Sequence, residues 1–432
     1  MRRINPFRPN GPIPTDLFVG RTKEFEQLES FLVQTINGNP TNFTVLGERG
    51  IGKTSLFEYT RLMATTMLDV ENDEIKYRFL VPYIIVDPST TQLDLVRKIE
   101  LSLRQELGRT EKARQFLEDV WTFLRRFDGV NVAGVSFKRG EGDKLGNLLR
   151  EEFANSLAQV VERSCSDDAD SIFAASLYEG VAYDGILILI DEADRSSDDL
   201  DLGAFIKYLS EDLGRKGCHK VQFGLSGLPS LKDKLLESHR SSSRGFYHIN
   251  LARLNTEDSL ELLEKCLQND LRLNNSAVAV TEGAINRLQM YADGHPHFLH
   301  QFGFHAYDND TDGELDTDDI DRGAFCNGGA IDVVGDIYFD EPYCACVRTE
   351  EQRAVLRLFS VNPPLKLKEE QVCSELRLSR NSVEDALRVL CDASLMTIDS
   401  RSQRYHLSHS CLAYWLAGRE EGIVVDQPTS TP

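Results

Sequence analysis

The chain has 432 residues, with 48 Lys/Arg against 69 Asp/Glu and a formal charge of −21 at pH 7. Such a balance disfavours a protein that coats nucleic acid non-specifically. The length predicts two or three domains with a sizeable core, and the longest unbroken aliphatic run, Ile186 to Ile190, is far too short to span a membrane. The nine cysteines are scattered and no C-x-x-C occurs, so reduced thiols in a cytoplasmic protein are expected rather than a disulfide framework or a zinc site. The opening "MRRINPFRPNGPIP" has no apolar segment after its arginines and is not expected to be a secretory signal.

Along the chain, the proline-rich segment Asn5 to Pro14 predicts an extended arm. A helix follows from about Thr22 to Val33, with Phe25, Leu28, Phe31 and Leu32 at helical spacing. Thr44 to Leu46 read as the end of a buried strand, and a helix is expected from about Thr54. "FLVPYIIVD" (Phe79 to Asp87) predicts another buried strand, then Leu93 to Leu107 and Lys112 to Phe127 predict helices. Gly129 to Phe137 alternates like a short hairpin, and a helix resumes near Leu145 to Glu162. "GILILIDEAD", a helix over Leu202 to Leu213 and "KVQFGLSG" complete an alternation of strand and helix. That alternation implies a parallel sheet with helices on both faces. Beyond Leu251 the strand signals stop, and Thr256 to Gln268, Thr281 to Asp293 and His297 to Tyr307 predict a small all-helical unit. A third unit is expected from near Glu341, ending in a polar tail from Gln427.

Two motifs carry chemistry. "GERGIGKT" (Gly47 to Thr54) has the full G-x-x-x-x-G-K-T pattern between strand and helix. Its glycines allow the N–H groups of Gly47, Glu48, Arg49, Gly50, Ile51, Gly52, Lys53, Thr54 and Ser55 to curl around phosphate. Lys53 supplies charge to the outer phosphates and Thr54 a hydroxyl for Mg²⁺, while the helix N-terminus adds its positive end. "ILILIDEADR" (Ile186 to Arg195) places two carboxylates at the C-terminal edge of the sheet, where ligands bind. Asp191 is then the second Mg²⁺ ligand, through water, and Glu192 the group that polarises the attacking water.

With "FVGRTKE" (Phe18 to Glu24) before the phosphate loop and "GHP" (Gly294 to Pro296) after the acidic motif, the chain resembles AAA+-related signal-transduction ATPases of the STAND class. It is equally similar to the archaeal and bacterial ATPases akin to origin-recognition initiators. The resemblance implies a P-loop α/β nucleotide domain over residues 1–250, a helical lid over 251–340 and a winged-helix domain over 341–432. It implies that Val19 and Arg21 lie on the adenine and ribose side of ATP and that Pro296 senses the nucleotide from the lid. It further makes Ser226, in "QFGLSG", the candidate γ-phosphate sensor, although asparagine or threonine is more usual there. Arg244, in "HRSSSRGFYHINL", falls where related proteins place an arginine finger, ahead of Arg240; an ordinary surface arginine is the alternative.

Three further features stand apart. "DNDTDGELDTDD" (Asp308 to Asp319) matches a calcium loop, with Asp308, Asp310, Asp312 and Asp319 as ligands. Asp319 replaces the longer glutamate of such loops, and an acidic connection with Asp316 or Thr317 capping the next helix is preferred. His295, His297, His300 and His305 crowd one short region, where lid packing is expected rather than a metal. Lys368 to His409 predicts two helices and a two-stranded wing. Its second helix offers Arg380 and Arg388 but also Glu384, Asp385 and Asp392, so a protein-facing role is preferred to DNA. From Thr349 to Glu420 there are ten Lys/Arg and ten Asp/Glu, so the acid excess lies elsewhere. The expectation is an ATP-binding, slowly hydrolysing switch acting on an unknown protein partner or a nucleotide-dependent homo-oligomer. A DNA-binding initiator or recombination accessory is the alternative.

Overall fold

The computed structural model of the chain describes every residue except 1–2, 12–13, 15–16, 66–75, 128–140, 167–172, 174–181, 240–241, 276–277, 362–364, 400 and 420–432. The hairpin expected at Gly129 to Phe137, Arg240 and the tail from Gln427 lie outside the described residues. The chain divides into two compact units, Arg21–Ala252 and a second that joins Met1–Gly20 to Arg253–Pro432.

The first unit runs α1 (Thr22–Ile36), β1 (Phe43–Leu46), α2 (Lys53–Ala64), β2 (Phe79–Leu80), β3 (Tyr83–Ile85), α3 (Gln92–Leu107), α4 (Glu111–Val120) and α5 (Glu141–Ser164). It continues through β4 (Gly185–Asp191), α6 (Leu202–Arg215), β5 (Val221–Gly227), α7 (Leu231–Ser238) and β6 (Tyr247–Asn250). The sheet order is β2-β4-β5-β1-β6, with β3 also on β4, and every pairing is parallel. Every residue of β1, β4 and β5 is buried, as aliphatic strands covered on both faces require. In register, Leu46 lies beside Gly227 and Ile190 beside Leu225, so the chain leaves β1, β4 and β5 at one edge. That edge holds both motifs.

Two layers cover the sheet. On one face Ile188, Ile190 and Phe223 share a core with Ile99 and Leu103 of α3, Phe153 of α5 and Phe205 of α6. A separate aromatic row joins helix and strand: Phe31 of α1 to Phe43 of β1 at 5.9 Å, Phe43 to Phe57 of α2 at 6.2 Å, and Phe57 to Tyr83 of β3 at 6.3 Å. Gly224 makes room for it, because a Cβ there would fall 2.5 Å from the Phe43 ring. The single helix expected over Lys112 to Phe127 ends at Val120 and tightens into a 3₁₀ turn, Thr122–Phe127. That turn brings Phe123, Leu124 and Phe127 together onto the core.

The second unit contains α8 (Thr256–Asn274), β7 (Ala279–Val280), α9 (Glu282–Ala292), α10 (Pro296–Asn309), β8 (Glu314–Leu315), α11 (Thr317–Phe325), α12 (Ala330–Tyr338) and α13 (Asp340–Cys346). It ends with α14 (Glu350–Ser360), α15 (Glu369–Leu376), α16 (Arg380–Asp392), the antiparallel ribbon of β9 (Met396–Asp399) and β10 (Arg404–Leu407), and α17 (Cys411–Ala417). The strand signals that were expected to stop at Leu251 persist in one short parallel pair, β7 with β8. A single hydrophobic core runs from Phe7 and Val19 through Phe298 and Phe302 of α10 to Leu387 of α16 and Trp415 of α17. The described part of the arm has neither helix nor strand and is pinned to α10. Phe7 sits over Gly303, where a Cβ would meet its ring at 2.3 Å, and Asn5 Nδ2 donates to the Phe304 carbonyl at 2.9 Å.

Candidate functional site

The phosphate loop takes its shape from two glycines in left-handed backbone, Gly50 (φ 72°) and Gly52 (φ 102°), a region that a Cβ penalises. Gly52 caps α2, so the helix starts at Lys53. Glu48, Arg49, Gly50 and Thr54 are exposed, whereas Gly47, Ile51 and Ser55 are buried. Lys53 Nζ donates to the carbonyls of Gly47 (3.0 Å) and Glu48 (2.8 Å), which holds the ammonium at the mouth of its own loop. Burial pulls its pKa below the usual lysine value, opposed by Asp194, Asp191, Glu192 and Glu48.

Asp191, at the end of β4, is the hub. Its Oδ2 accepts from Thr54 Oγ1 at 2.9 Å and from Tyr83 Oη at 2.6 Å. Its Oδ1 accepts from the Glu192 N–H at 2.9 Å and from Ser226 Oγ. The carboxylate is buried and fully hydrogen-bonded, which is what a charge at that depth requires. Ser226 was expected to face a γ-phosphate. It is instead fully buried with its hydroxyl on Asp191, a place that orients the carboxylate. Burial and the neighbouring Asp191 charge push the Tyr83 phenol well above its ordinary value, so it stays a donor.

Glu192 adopts left-handed backbone (φ 54°), which turns its side chain away from the strand. Its Oε2 accepts from Arg195 Nη1 at 2.5 Å, and both side chains are about half exposed. Asp194 Oδ1 accepts from the Leu228 N–H at 3.0 Å, tying the acidic turn to the end of β5.

The remaining sequence candidates lie in other settings. Arg21 is buried, with its guanidinium on the carbonyls of Ala252 (2.7 Å) and Ile51 (3.3 Å) and Glu24 at 3.7 Å, so it grips the backbone of the phosphate loop. Val19 is buried in the core of the second unit, and Pro296 is buried there in the first turn of α10. Gly294 has φ 69° and its carbonyl accepts from the Leu254 N–H at 2.8 Å. Arg244 is exposed on the 3₁₀ turn Ser242–Gly245.

In the acidic segment, the carboxylates of Asp310, Asp312 and Asp319 lie within 4.8 Å of one another. Asp308 is not in that group, since its Oδ1 accepts from Asn5 Nδ2 at 3.0 Å. Asp310 is paired with Arg3 at 2.8 Å, and Asp316 and Asp319 form a reciprocal cap on α11. The capping role weighed for Asp316 is thus realised, with Asp319 as its partner.

Sequence reasoning missed Tyr83 and Arg195. Tyr83 reads simply as a β-forming aromatic, and only strand pairing brings it to Asp191. Arg195, three residues after Glu192 in "DEADR", was within reach of spacing alone.

The AAA ATPase domain family matches residues 17–216. The chain carries an AAA ATPase domain. Its whole fold is similar to the ORC2 protein of Aeropyrum pernix in its ADPNP–ADP complexes, with a TM-score of 0.53 at 12% identity over 96% of this chain and 97% of that one. At that identity the likeness is one of fold. The CDC6P protein of Pyrobaculum aerophilum (TM-score 0.45, 14% identity, 96% of each chain) and the Aeropyrum pernix ORC1 protein in complex with DNA (0.42, 14%, 94% of each) are more distant in shape. Among curated proteins, none matches this sequence. ATP binding and ATPase activity belong to this domain, and among the described residues no helix is long and apolar enough to cross a membrane.

Proposed function

We propose that the chain is a slowly hydrolysing ATP switch of the STAND type, which couples nucleotide state to a protein partner or to its own assembly. The observation that carries this is the hydrogen bond from Thr54 to Asp191, which unites the phosphate loop and the acidic motif at one sheet edge. A hydroxyl and a carboxylate in contact are hard oxygen donors, a set that suits Mg²⁺. When bound, Mg²⁺ neutralises and orients the outer phosphate oxygens. Thr54 and Asp191 hold that ion, the loop from Gly47 to Ser55 cradles phosphate, Lys53 leaves its carbonyls for the outer phosphates, and Glu192 accepts the proton of the attacking water. Ser226 fixes the orientation of Asp191, and Arg244, exposed on its turn, serves a neighbouring copy as an arginine finger.

In this reading residues 1–250 bind nucleotide, 251–340 form the lid with Pro296 as its reporter, and 341–432 form a winged helix that faces protein. Arg380 is tied to Glu369 at 2.8 Å and Arg388 to Asp385 at 3.2 Å, which supports protein over DNA, since each cation already has a carboxylate. The test measures mass in solution and melting temperature with Mg²⁺ and ATP, with and without duplex DNA. Wild type should be stabilised by ATP and Lys53→Ala should not. Equal stabilisation of both would remove Lys53 from the site. Salt-sensitive, ATP-dependent duplex binding lost in Arg380→Ala with Arg388→Ala would promote the DNA-binding initiator.

A further inference from the structure

An ionised carboxylate offers about four acceptor positions, two on each oxygen. In Asp191 four donors take them: Thr54 Oγ1 and Tyr83 Oη on Oδ2, the Glu192 N–H and Ser226 Oγ on Oδ1. A hydrated Mg²⁺ whose water donates to Asp191 therefore has to displace one of them. Three of the four are fixed. The Glu192 donor is main chain, Ser226 is fully buried in the middle of the sheet, and Thr54 keeps its proton on Asp191 while its lone pairs serve the metal. Tyr83 is different. It lies on β3, a three-residue strand that among the described residues pairs with β4 alone, and it is partly exposed. Its ring is steadied edge-on by Phe57, so the phenol can lose its bond to Asp191 without disturbing the core.

We infer that Tyr83 competes with the metal: its phenol O–H holds the Asp191 acceptor position that a hydrated Mg²⁺ takes up, and so sets the Mg²⁺ concentration at which nucleotide is gripped. This rests on the reading of Asp191 as the metal-side carboxylate. Removing the hydroxyl frees the acceptor in the metal-free protein and changes nothing in the loaded one. Mg²⁺ should then bind more tightly. A purely structural tyrosine predicts the opposite sign or no effect, because its loss weakens both states alike.

The experiment uses the full chain and the melting temperature reached with saturating ADPNP as Mg²⁺ is titrated, together with an arm in EDTA. In Tyr83→Phe the half-saturating Mg²⁺ concentration should fall about tenfold, the value of one hydrogen bond to a charged group. The metal-free melting temperature should drop, and the two proteins should converge at saturating Mg²⁺ and ADPNP. Tyr83→Leu, which also removes the ring, should shift the Mg²⁺ midpoint in the same direction. Asp191→Asn separates the two layers of the argument. If it loses Mg²⁺ dependence while the Tyr83→Phe midpoint stays at or above wild type, the tyrosine inference is wrong and the Asp191 reading stands. If Asp191→Asn keeps wild-type Mg²⁺ dependence, the metal-side reading is wrong and takes the inference with it.

Discussion

Replacing Glu192 by Gln keeps the shape and volume of the side chain and removes a carboxylate that is about half exposed at this edge. Among the described residues, the hydrogen bonds of Glu192 are peripheral to the sheet: its main-chain N–H serves Asp191, and its side chain accepts from the exposed Arg195. Surface changes of this kind leave stability nearly untouched, so the melting temperature should stay within about 2 °C of wild type. A general base is worth about 10²- to 10⁴-fold in rate, and turnover should fall by that much. ATP-induced stabilisation should persist, because Lys53, Thr54 and Asp191 are unchanged. Arg195→Ala gives the complementary result. It releases the Glu192 carboxylate from an exposed pair, and turnover should be equal to wild type or a few-fold higher. Phosphate release under single-turnover conditions, beside a thermal melt with and without ATP, reads all of this. A Glu192→Gln protein that hydrolyses ATP within threefold of wild type would refute the assignment.

Gly335→Ala should destabilise the second unit by about 1–3 kcal/mol or more, since the added Cβ would fall 1.9 Å from the indole of Trp415; urea denaturation followed by Trp fluorescence checks it. His300 should make stability pH-dependent: burial, with His297 and Arg8 nearby, lowers its pKa from 6.5 to about 4. The unfolded chain therefore binds the proton first, and this contribution is complete above about pH 6.5 and lost as pH falls toward 4. His300→Asn, which can still accept from the Arg8 N–H, should flatten the change in urea midpoint between pH 7 and 5. Calcium should bind weakly at most to the segment Asp308 to Asp319; titration calorimetry in Mg²⁺ buffer showing a micromolar site abolished by Asp310→Asn would contradict this.

The nucleotide fold was legible because its signals are local and strong. Five consecutive aliphatics in β4 leave only a strand buried on both faces, and Gly50 and Gly52 occupy backbone that other residues avoid. The breaks in legibility have physical causes. The helix predicted across Lys112 to Phe127 has continuous helical propensity, yet Trp121, Phe123 and Phe127 have to reach the same core, and a tighter turn satisfies them. The acidic segment matched a ligand pattern that counts oxygens and not their partners. Arg3, more than three hundred residues away in sequence, and Asn5 engage two of its four candidate ligands.

The candidate site was half legible for the same reason. Lys53, Thr54, Asp191 and Glu192 sit in contiguous motifs, so spacing singles them out as candidates. Their environment is set by pairing between strands that lie far apart in sequence. Parallel register places Ile85 beside Asp191 and Tyr83 beside Leu189, so the phenol reaches across two positions of a neighbouring strand. Ser226 arrives in the same way from the other side, on β5. Each hydroxyl reads in one dimension as a strand residue or a sensor, and only the sheet turns both into donors on one carboxylate. That distinction has a chemical consequence. A carboxylate with free lone pairs would bind a hydrated cation as soon as one is present, whereas one saturated by four donors binds it by exchange. The threshold for the exchange is then set by the most weakly anchored donor, which here is the tyrosine at the end of the aromatic row from Phe31 through Phe43 and Phe57.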